Sequence, residues 1–89
     1  MPDQPDRQRI DRWLWHARLV RTRTAAAELA GAGYVRVNGV RIDAPGRMVH
    51  SGDVITVALD RSVRVLKVRG FRTRRGPAGS ADGLYDELS

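Results

Sequence analysis

The stretch RIDRWLWHARLVRTRTAAAELAGAGYVRVNGVRI, residues 9–42, changes its apolar spacing partway along. Ile10, Trp13 and Leu14 recur at the i, i+3, i+4 spacing that places side chains on one face of a helix. From Tyr34 onward, apolar and polar residues alternate, which is typical of a half-buried strand. The sequence therefore predicts two N-terminal helices packed on a small, mostly antiparallel sheet, an α+β fold.

Two helices are expected in the first part of this stretch. The first begins at Ile10 and is expected to end near Val20. Thr22 is the expected N-cap of the second, because its hydroxyl can accept a backbone N–H that has no helical partner. Gly31 and Gly33 supply the left-handed geometry that stops this helix. Its expected buried stripe is small, which allows the two helices to approach closely: Ala25, Ala26, Leu29 and Ala30.

The sheet is expected to begin with a hairpin. Asn38-Gly39 stands between two alternating runs, and both residues tolerate the positive φ of a tight hairpin turn. Two further strands are expected at residues 54–59 and 63–68. The apolar phase slips in the middle of the second, which predicts a β-bulge or a twist at the sheet end.

Composition divides the chain into three parts. Residues 1–8 contain two prolines and no apolar periodicity, so we expect a disordered tail. Residues 9–70 form the predicted domain. Residues 71–89 form a basic-then-acidic extension, in which residues 82–88 are expected to make one or two helical turns that fold back onto the domain.

The overall composition excludes several classes of protein. Eighty-nine residues without cysteine are too few for a second core and cannot form disulfides or thiolate metal sites. No run of about 20 apolar residues is present to span a membrane, and the polar start is unlike a secretory signal. His16 and His50 lack companions at metal-binding spacing. We expect a cytoplasmic monomer with no catalytic activity, metal or cofactor.

The charge of the chain is strongly asymmetric. The net charge is +6, but residues 7–76 hold all 16 basic side chains and only five acidic ones. A basic body with acidic ends favours a polyanionic partner, and we expect nucleic acid.

The two tryptophans are expected to face opposite ways. Trp13 lies on the apolar face of the first helix, whereas Trp15 shares the other side with Arg12, His16 and Leu19. Two environments for Trp15 are open. It can pack beneath Leu84 and Tyr85 of the extension, or it can stack on a nucleobase.

The arginines are expected to converge on one concave surface. The start of the second helix offers N–H groups and a favourable dipole to a phosphate. Asp11 is expected to orient Arg12 or Arg9, or to accept from RNA. Asn38 is expected to serve mainly in the turn, with a base contact as the alternative. The complete set of expected RNA-contacting residues is Arg9, Asp11, Arg12, Arg18, Arg21, Thr22, Arg23, Arg36, Asn38, Arg41 and Arg47.

Four spaced motifs carry a family resemblance. They are Arg9-Ile10-Asp11, Thr22-Arg23, the run from Gly33 to Gly39, and Gly52-Asp53-Val54-Ile55. Together they resemble the ribosomal protein S-four-type RNA-binding domain, also called the alpha-L motif, over roughly residues 9 to 60. The resemblance implies an RNA-binding domain of two helices on a small sheet.

A narrower resemblance rests on the tryptophan pair in DRWLW (residues 11–15), on Thr22-Arg23, on RGPA (residues 75–78) and on Leu84-Tyr85. These are similar to the small ribosome-associated bacterial heat shock proteins of about fifteen kilodaltons. That resemblance implies binding to RNA of free large ribosomal subunits that carry a stalled nascent chain on transfer RNA. That family continues into a longer charged C-terminal helix, so we expect ribosome contacts made by such a helix to be reduced here.

Two other functions remain open from the residues. A protein-interaction module would present Trp15, Leu19, Leu84 and Tyr85 as an exposed apolar patch. DNA binding ranks below RNA binding, because the alanine-rich second helix has few side chains that could read base edges.

Overall fold

A computed structural model describes residues 7–71 and 83–88 of the chain. Within these residues, two helices pack on one face of a five-stranded antiparallel sheet, and a separate pair of strands closes the N-terminal side. The α+β prediction is confirmed. The elements are β1 (Arg7–Arg9), α1 (Ile10–His16), α2 (Arg23–Gly31), β2 (Val35–Val37), β3 (Val40–Ile42), β4 (Met48–His50), β5 (Val54–Ala58), β6 (Val63–Val68) and β7 (Tyr85–Glu87).

The first helix ends one turn earlier than predicted. Arg18 has a φ of 61° and donates its N–H to the carbonyl of Trp15 at 3.1 Å. Leu19 donates to the carbonyl of Leu14 at 3.1 Å. This is a Schellman motif whose left-handed residue is an arginine, although glycine usually takes this position. Because no glycine marks this position, the sequence did not indicate where the helix ends. The turn directs the Leu19 side chain into the core.

The second helix agrees with its prediction at both ends. The Thr22 hydroxyl oxygen accepts the N–H of Ala25 at 3.0 Å, as an N-cap should. The helix stops at Gly31, and Gly33 follows with a φ of 85°. Ala26 and Ala30 are fully buried, so this helix contributes a small-residue face to the core.

The five-stranded sheet has the order β3-β2-β5-β6-β7. Asn38 (φ 53°) and Gly39 (φ 82°) form the predicted hairpin turn between β2 and β3. The predicted bulge in β6 is wrong, because β5 and β6 pair one-to-one from Val54↔Lys67 to Ala58↔Val63. Val63 is 60% exposed on the outer sheet face. Because an apolar residue faces outward here, the apolar pattern of β6 looked as if it changed phase.

The described end of the extension is a strand, so the predicted helical turns at residues 85–87 are wrong. β7 pairs with β6 along Leu66↔Glu87 to Val68↔Tyr85. The expectation that this end folds back onto the domain is confirmed. Leu84 is buried in the core, and the Tyr85 ring stands edge-on to Trp13 with centroids 6.2 Å apart. The basic part of the extension lies outside the described residues and comprises Arg72, Arg74 and Arg75.

The expected tail also loses its last two residues. β1 pairs with β4 in the register Arg7↔His50 to Arg9↔Met48. Gln8, the middle residue of β1, is buried. Arg7 and Gln8 are therefore part of the folded domain, because strand pairing supplies the order that apolar spacing did not reveal. Residues 1–6 lie outside the described residues.

The core lies between the helices and the inner face of the sheet. Trp13 is its largest member, fully buried, and its indole N–H donates to the carbonyl of Gly70 at 3.2 Å. None of the described helices is long and apolar enough to cross a membrane. The other core side chains are Ile10, Leu14, Ala17, Leu19, Ala26, Ala30, Val35, Val37, Ile42, Val49, Ile55, Val57, Leu66, Val68, Phe71 and Leu84.

Candidate nucleic-acid interface

Asp11 holds Arg9 at the start of α1. The carboxylate is 5% exposed and accepts from Arg9 Nε at 3.1 Å and Nη2 at 2.9 Å, a bidentate geometry that fixes the guanidinium plane. It also accepts the backbone N–H of Arg12 at 2.7 Å. Of the roles predicted for Asp11, the structure supports orientation of Arg9, because so deeply buried a carboxylate does not face a ligand.

Arg12 is partly buried, and its Nε atom is enclosed without a hydrogen-bond partner among the described residues. Its stem contributes to packing, so a substitution here changes the fold as well as the surface. Arg12 is therefore a poor position at which to test binding by charge reversal.

The turn between the helices gathers four of the expected residues around the α2 N-terminus. Because the first intrahelical donor is Ala26 N–H, bonded to the Thr22 carbonyl at 3.1 Å, the N–H groups of Arg23 and Thr24 have no helical acceptor. The Arg23 side chain is exposed beside them. This arrangement suits an anion. We call this set the turn group: Arg18, Arg21, Thr22 and Arg23.

Arg36 and Arg41 stand directly opposite each other on neighbouring strands. Both are exposed, and they point to the sheet face away from the helices, since Val35 and Val37 alternate with Arg36 and face the core. The Arg41 guanidinium lies against the α-carbon of Gly33, where any larger residue would collide with it. The end of α2 therefore seats Arg41.

The loop between β3 and β4 connects these arginines to the start of α1. The Arg9 guanidinium carbon lies 3.8 Å from the position that a Cβ of residue Gly46 would occupy. Pro45 Cδ lies 3.9 Å from the corresponding Cβ position at Gly31. Arg47 is exposed, and its carbonyl accepts the N–H of Ile10 at 2.8 Å. We call this second set the hairpin group: Arg9, Arg36, Arg41 and Arg47.

Asn38 is committed to the fold. Its side-chain oxygen accepts the N–H of Val54 at 2.9 Å, and its side-chain nitrogen donates to Asp53 at 3.1 Å. The other Asp53 oxygen accepts the N–H of His50 at 2.8 Å, which closes the turn through Gly52. The structural role expected for Asn38 is therefore confirmed, and these contacts leave its amide little capacity for a base.

The expected residues thus fall into two groups and not one uninterrupted surface. The turn group lies at the junction of the helices, and Arg36 lies across the sheet from it. Within the hairpin group, Arg9 lies beside the loop at Gly46, whereas Arg36 and Arg41 lie opposite each other on the outer sheet face, with Arg41 beside Gly33. Sequence spacing could not show this division, because it does not reveal on which side of the sheet the helices pack.

The exposed apolar patch expected for a protein-interaction module is not present. Leu19 and Leu84 are buried in the core, and Tyr85 packs on Trp13 and not on Trp15. The prediction that Leu19 shares the outer side of α1 with Trp15 is wrong, because α1 ends before Leu19. Trp15 is partly exposed, with its ring centroid 4.9 Å from that of the buried His16.

Two other cations are neutralised within the molecule. Arg64 forms an ion pair with Glu87, which raises the pKa of the Arg64 guanidinium above its ordinary value despite partial desolvation. Asp86, 2.8 Å from Arg69, likewise raises the pKa of Arg69. Both pairs tie β7 or its neighbouring segment to the domain. The β7 edge is therefore electrically balanced, whereas Arg23, Arg36, Arg41 and Arg47 are exposed on other parts of the surface.

Sequence reasoning missed one exposed aromatic beside the hairpin group. Tyr34 is 57% exposed and immediately precedes β2. The alternation of the strand could have revealed this exposure. Val35 faces the core, so Tyr34, the residue before it, faces outward with Arg36.

Comparison with known proteins agrees with this architecture. Residues 8–55 match the S4 domain. The chain belongs to the S4 domain family. This is a family of RNA-binding domains, and the family resemblance drawn from the motifs is confirmed.

The relatives of this S4 domain include bacterial heat shock proteins and ribosomal proteins. Heat shock protein 15 of Escherichia coli is 35% identical over 81 residues, covering 91% of the chain and 60% of that protein. The small ribosomal subunit protein uS4 of Mycolicibacterium vanbaalenii is 38% identical over 71 residues, 80% of the chain and 33% of that protein. The chain therefore spans less than two-thirds of the length of either relative.

A solved structure shares the whole fold. The trimeric structure of Vibrio cholerae heat shock protein 15 superposes with a TM-score of 0.84 at 31% identity, covering 93% of the chain and 83% of that chain. The same arrangement of helices and sheet is thus retained where two-thirds of the side chains differ.

Proposed function

We propose that this S4 domain binds structured ribosomal RNA, chiefly through its phosphates. The observation that carries the proposal is the uneven pairing of charge: Arg64 and Arg69 are neutralised at the β7 edge, whereas Arg23, Arg36 and Arg41 are exposed elsewhere. Rigid helices and a hairpin position these guanidiniums, so selectivity comes mainly from RNA shape.

The ribosomal target is a finer part of the same proposal. The motifs shared with the small ribosome-associated bacterial heat shock proteins support a site on the large ribosomal subunit, and heat shock protein 15 of Escherichia coli is a relative of the chain. There the protein would act in the cytoplasm, in the rescue or recycling of stalled subunits that carry a nascent chain and transfer RNA. Catalysis forms no part of the proposed role, and the domain acts by binding.

The oligomeric state belongs to the proposal as well. The sequence favours a monomer, whereas the Vibrio cholerae relative is a trimer in its structure. We propose a monomer that binds RNA with one copy. Sedimentation at several protein concentrations, with and without RNA, tests this, and a mass of three chains without RNA would contradict it.

The proposed RNA binding is tested by reversing one charge in the turn group. Arg23→Glu places a carboxylate at the α2 N-terminus, where it repels a phosphate, so we expect at least a tenfold loss of affinity for a structured ribosomal RNA fragment. Arg61→Glu is the matched control, since Arg61 is exposed in the turn between β5 and β6 and belongs to neither group. Fluorescence anisotropy measures affinity, and circular dichroism checks that both variants are folded.

The outcome separates the two levels of the proposal. Equal affinities for Arg23→Glu and Arg61→Glu would remove the turn group from the RNA site. Co-sedimentation of the unaltered protein with isolated ribosomal subunits tests the target, because we expect it with large subunits and not with small ones.

A further inference from the structure

The outer face of the sheet contains a hollow beside Tyr34, an aromatic residue that the proposed phosphate contacts do not use. It has a volume of about 220 Å³ and is lined by Gly33, Tyr34, Arg36, Thr56, Ala58 and Val63. Pockets for drug-sized ligands usually span about 300–1,000 Å³, so this hollow suits a single ring system.

The walls of the hollow combine an aromatic face, an apolar floor and polar groups. Tyr34 and Val63 are 57% and 60% exposed, so neither side chain is part of the core and both are accessible to a ligand. Thr56 pairs with Arg36 across β5 and β2 and points to the same face. An aromatic ring beside a hydroxyl and a guanidinium is the combination that stacks and orients a nucleobase.

Charge distinguishes the two sides of Tyr34. On one side Arg36 lines the hollow, and Arg41 lies against Gly33 at its rim. On the other side a second depression of about 310 Å³ includes the carboxylate of Asp60, together with Leu29, Ala58 and Leu59. A phosphate is favoured on the first side by Arg36 and Arg41, so we expect an RNA strand to approach Tyr34 from the arginines.

We propose that this hollow binds one unpaired nucleobase of the RNA, stacked on Tyr34, with its phosphate held by Arg36 and Arg41. The inference rests on the proposed RNA binding and adds a base subsite to it. Among the residues that the structure describes, no acidic side chain lines this hollow and two guanidiniums border it, so a nucleotide fits better than an apolar segment of a protein.

The test compares two RNA hairpins that differ by a single base. One carries a bulged adenosine, and the other carries an abasic nucleotide at the same bulge, so backbone charge and shape are nearly unchanged. Because stacking contributes about 1–3 kcal/mol per base, the unaltered protein should prefer the first hairpin by about 5- to 150-fold. Tyr34→Phe should keep this preference. Tyr34→Leu should lose it while retaining affinity for the abasic hairpin.

A second variant guards against an effect of Tyr34 on the fold. Val63→Trp fills the hollow from the far strand and leaves Tyr34 in place, so it should also abolish the preference. A preference that survives Tyr34→Leu, or that is absent from the unaltered protein, overturns the base subsite. In both cases Arg23→Glu would still lower binding to both hairpins, so the proposed RNA binding would stand.

Two further outcomes identify different occupants or a wider failure. If Tyr34→Leu changes the sedimenting mass in the absence of RNA, the hollow belongs to a contact between copies of the chain, and the base subsite is overturned. If the unaltered protein binds neither hairpin nor ribosomal RNA, the proposed function fails together with the subsite.

Discussion

Gly33 shows how a single residue serves both the chain path and the surface. Its φ of 85° ends α2, and its lack of a side chain leaves room for the Arg41 guanidinium. Gly39 has nearly the same φ, 82°, but nothing lies within 4 Å of the place where its Cβ would stand. The two glycines therefore separate the cost of backbone strain from the cost of displacing an arginine.

Replacing these glycines by alanine should give different results. Gly39→Ala should lower the free energy of unfolding by about 1–2 kcal/mol, the usual cost of a left-handed L-residue. Gly33→Ala should cost the same strain and in addition displace the flexible end of Arg41, so we expect a similar loss of stability but, unlike Gly39→Ala, weaker RNA binding. Urea denaturation and RNA titration measure both effects. Equal losses of affinity in the two variants would contradict the seat proposed for Arg41.

At the scale of elements, β7 is one of three strands, with β1 and β4, that sequence spacing did not predict. Its three residues pair with β6, and side chains anchor it at both faces: Glu87 to Arg64, and Asp86 to Arg69. Such partly exposed ion pairs contribute little stability, about 0.2–1 kcal/mol each. Most of the docking free energy therefore comes from the adjacent Leu84, buried in the core, and from Tyr85 against Trp13.

The Arg64–Glu87 pair gives a prediction about pH. Arg64→Gln should lower the free energy of unfolding by no more than about 1 kcal/mol. Because Glu87 raises the pKa of Arg64, the contribution is complete below the unfolded-state pKa and is lost only as the pH rises through the still higher folded-state pKa. The difference between variant and unaltered protein should therefore be constant between about pH 7 and pH 9. Chemical denaturation at several pH values measures it, with Arg61→Gln as control, and a steady decline over this range would contradict the assignment.

At the scale of the whole molecule, tertiary pairing creates the charge asymmetry of the surface. The chain has a net charge of +6, but the β7 edge neutralises its own arginines. Arg9 is paired with Asp11, whereas Arg23 of the turn group and Arg36, Arg41 and Arg47 of the hairpin group are exposed. An RNA that contacts Arg23 together with Arg36 and Arg41 must therefore reach around the sheet, since Arg36 and Arg41 lie on the face away from the helices.

The salt dependence of RNA binding should report this asymmetry. Each phosphate contact contributes about 0.7–0.9 to the slope of log K against log salt, so Arg36→Gln and Arg41→Gln should each reduce the slope by roughly that amount. Arg69→Gln removes the same formal charge from the neutralised edge and should leave the slope unchanged. Binding titrations at several salt concentrations measure the slopes. A slope reduced equally by all three variants would indicate a response to net charge and not to the hairpin group.

The local elements of this protein could be predicted because their causes are local. Thr22 caps α2 with its own hydroxyl, and Asn38-Gly39 forms a turn because both residues adopt a positive φ. Candidate charged contacts could also be named, since exposure of arginine is the rule. The end of α1 escaped prediction, because Arg18 takes a left-handed conformation that only the surrounding packing makes tolerable.

The sequence by itself determined the two helices, the hairpin, the alternation of the strands and the strongly basic composition. Only the tertiary structure decided which strands β1 and β7 join, that Leu19 and Leu84 are buried, and that Arg36 and the helices lie on opposite faces of the sheet. The reason is the range of the interactions. Caps and turns depend on residues a few positions apart, whereas strand partners, ion pairs such as Arg64–Glu87 and the face that a side chain occupies depend on residues far apart in the chain.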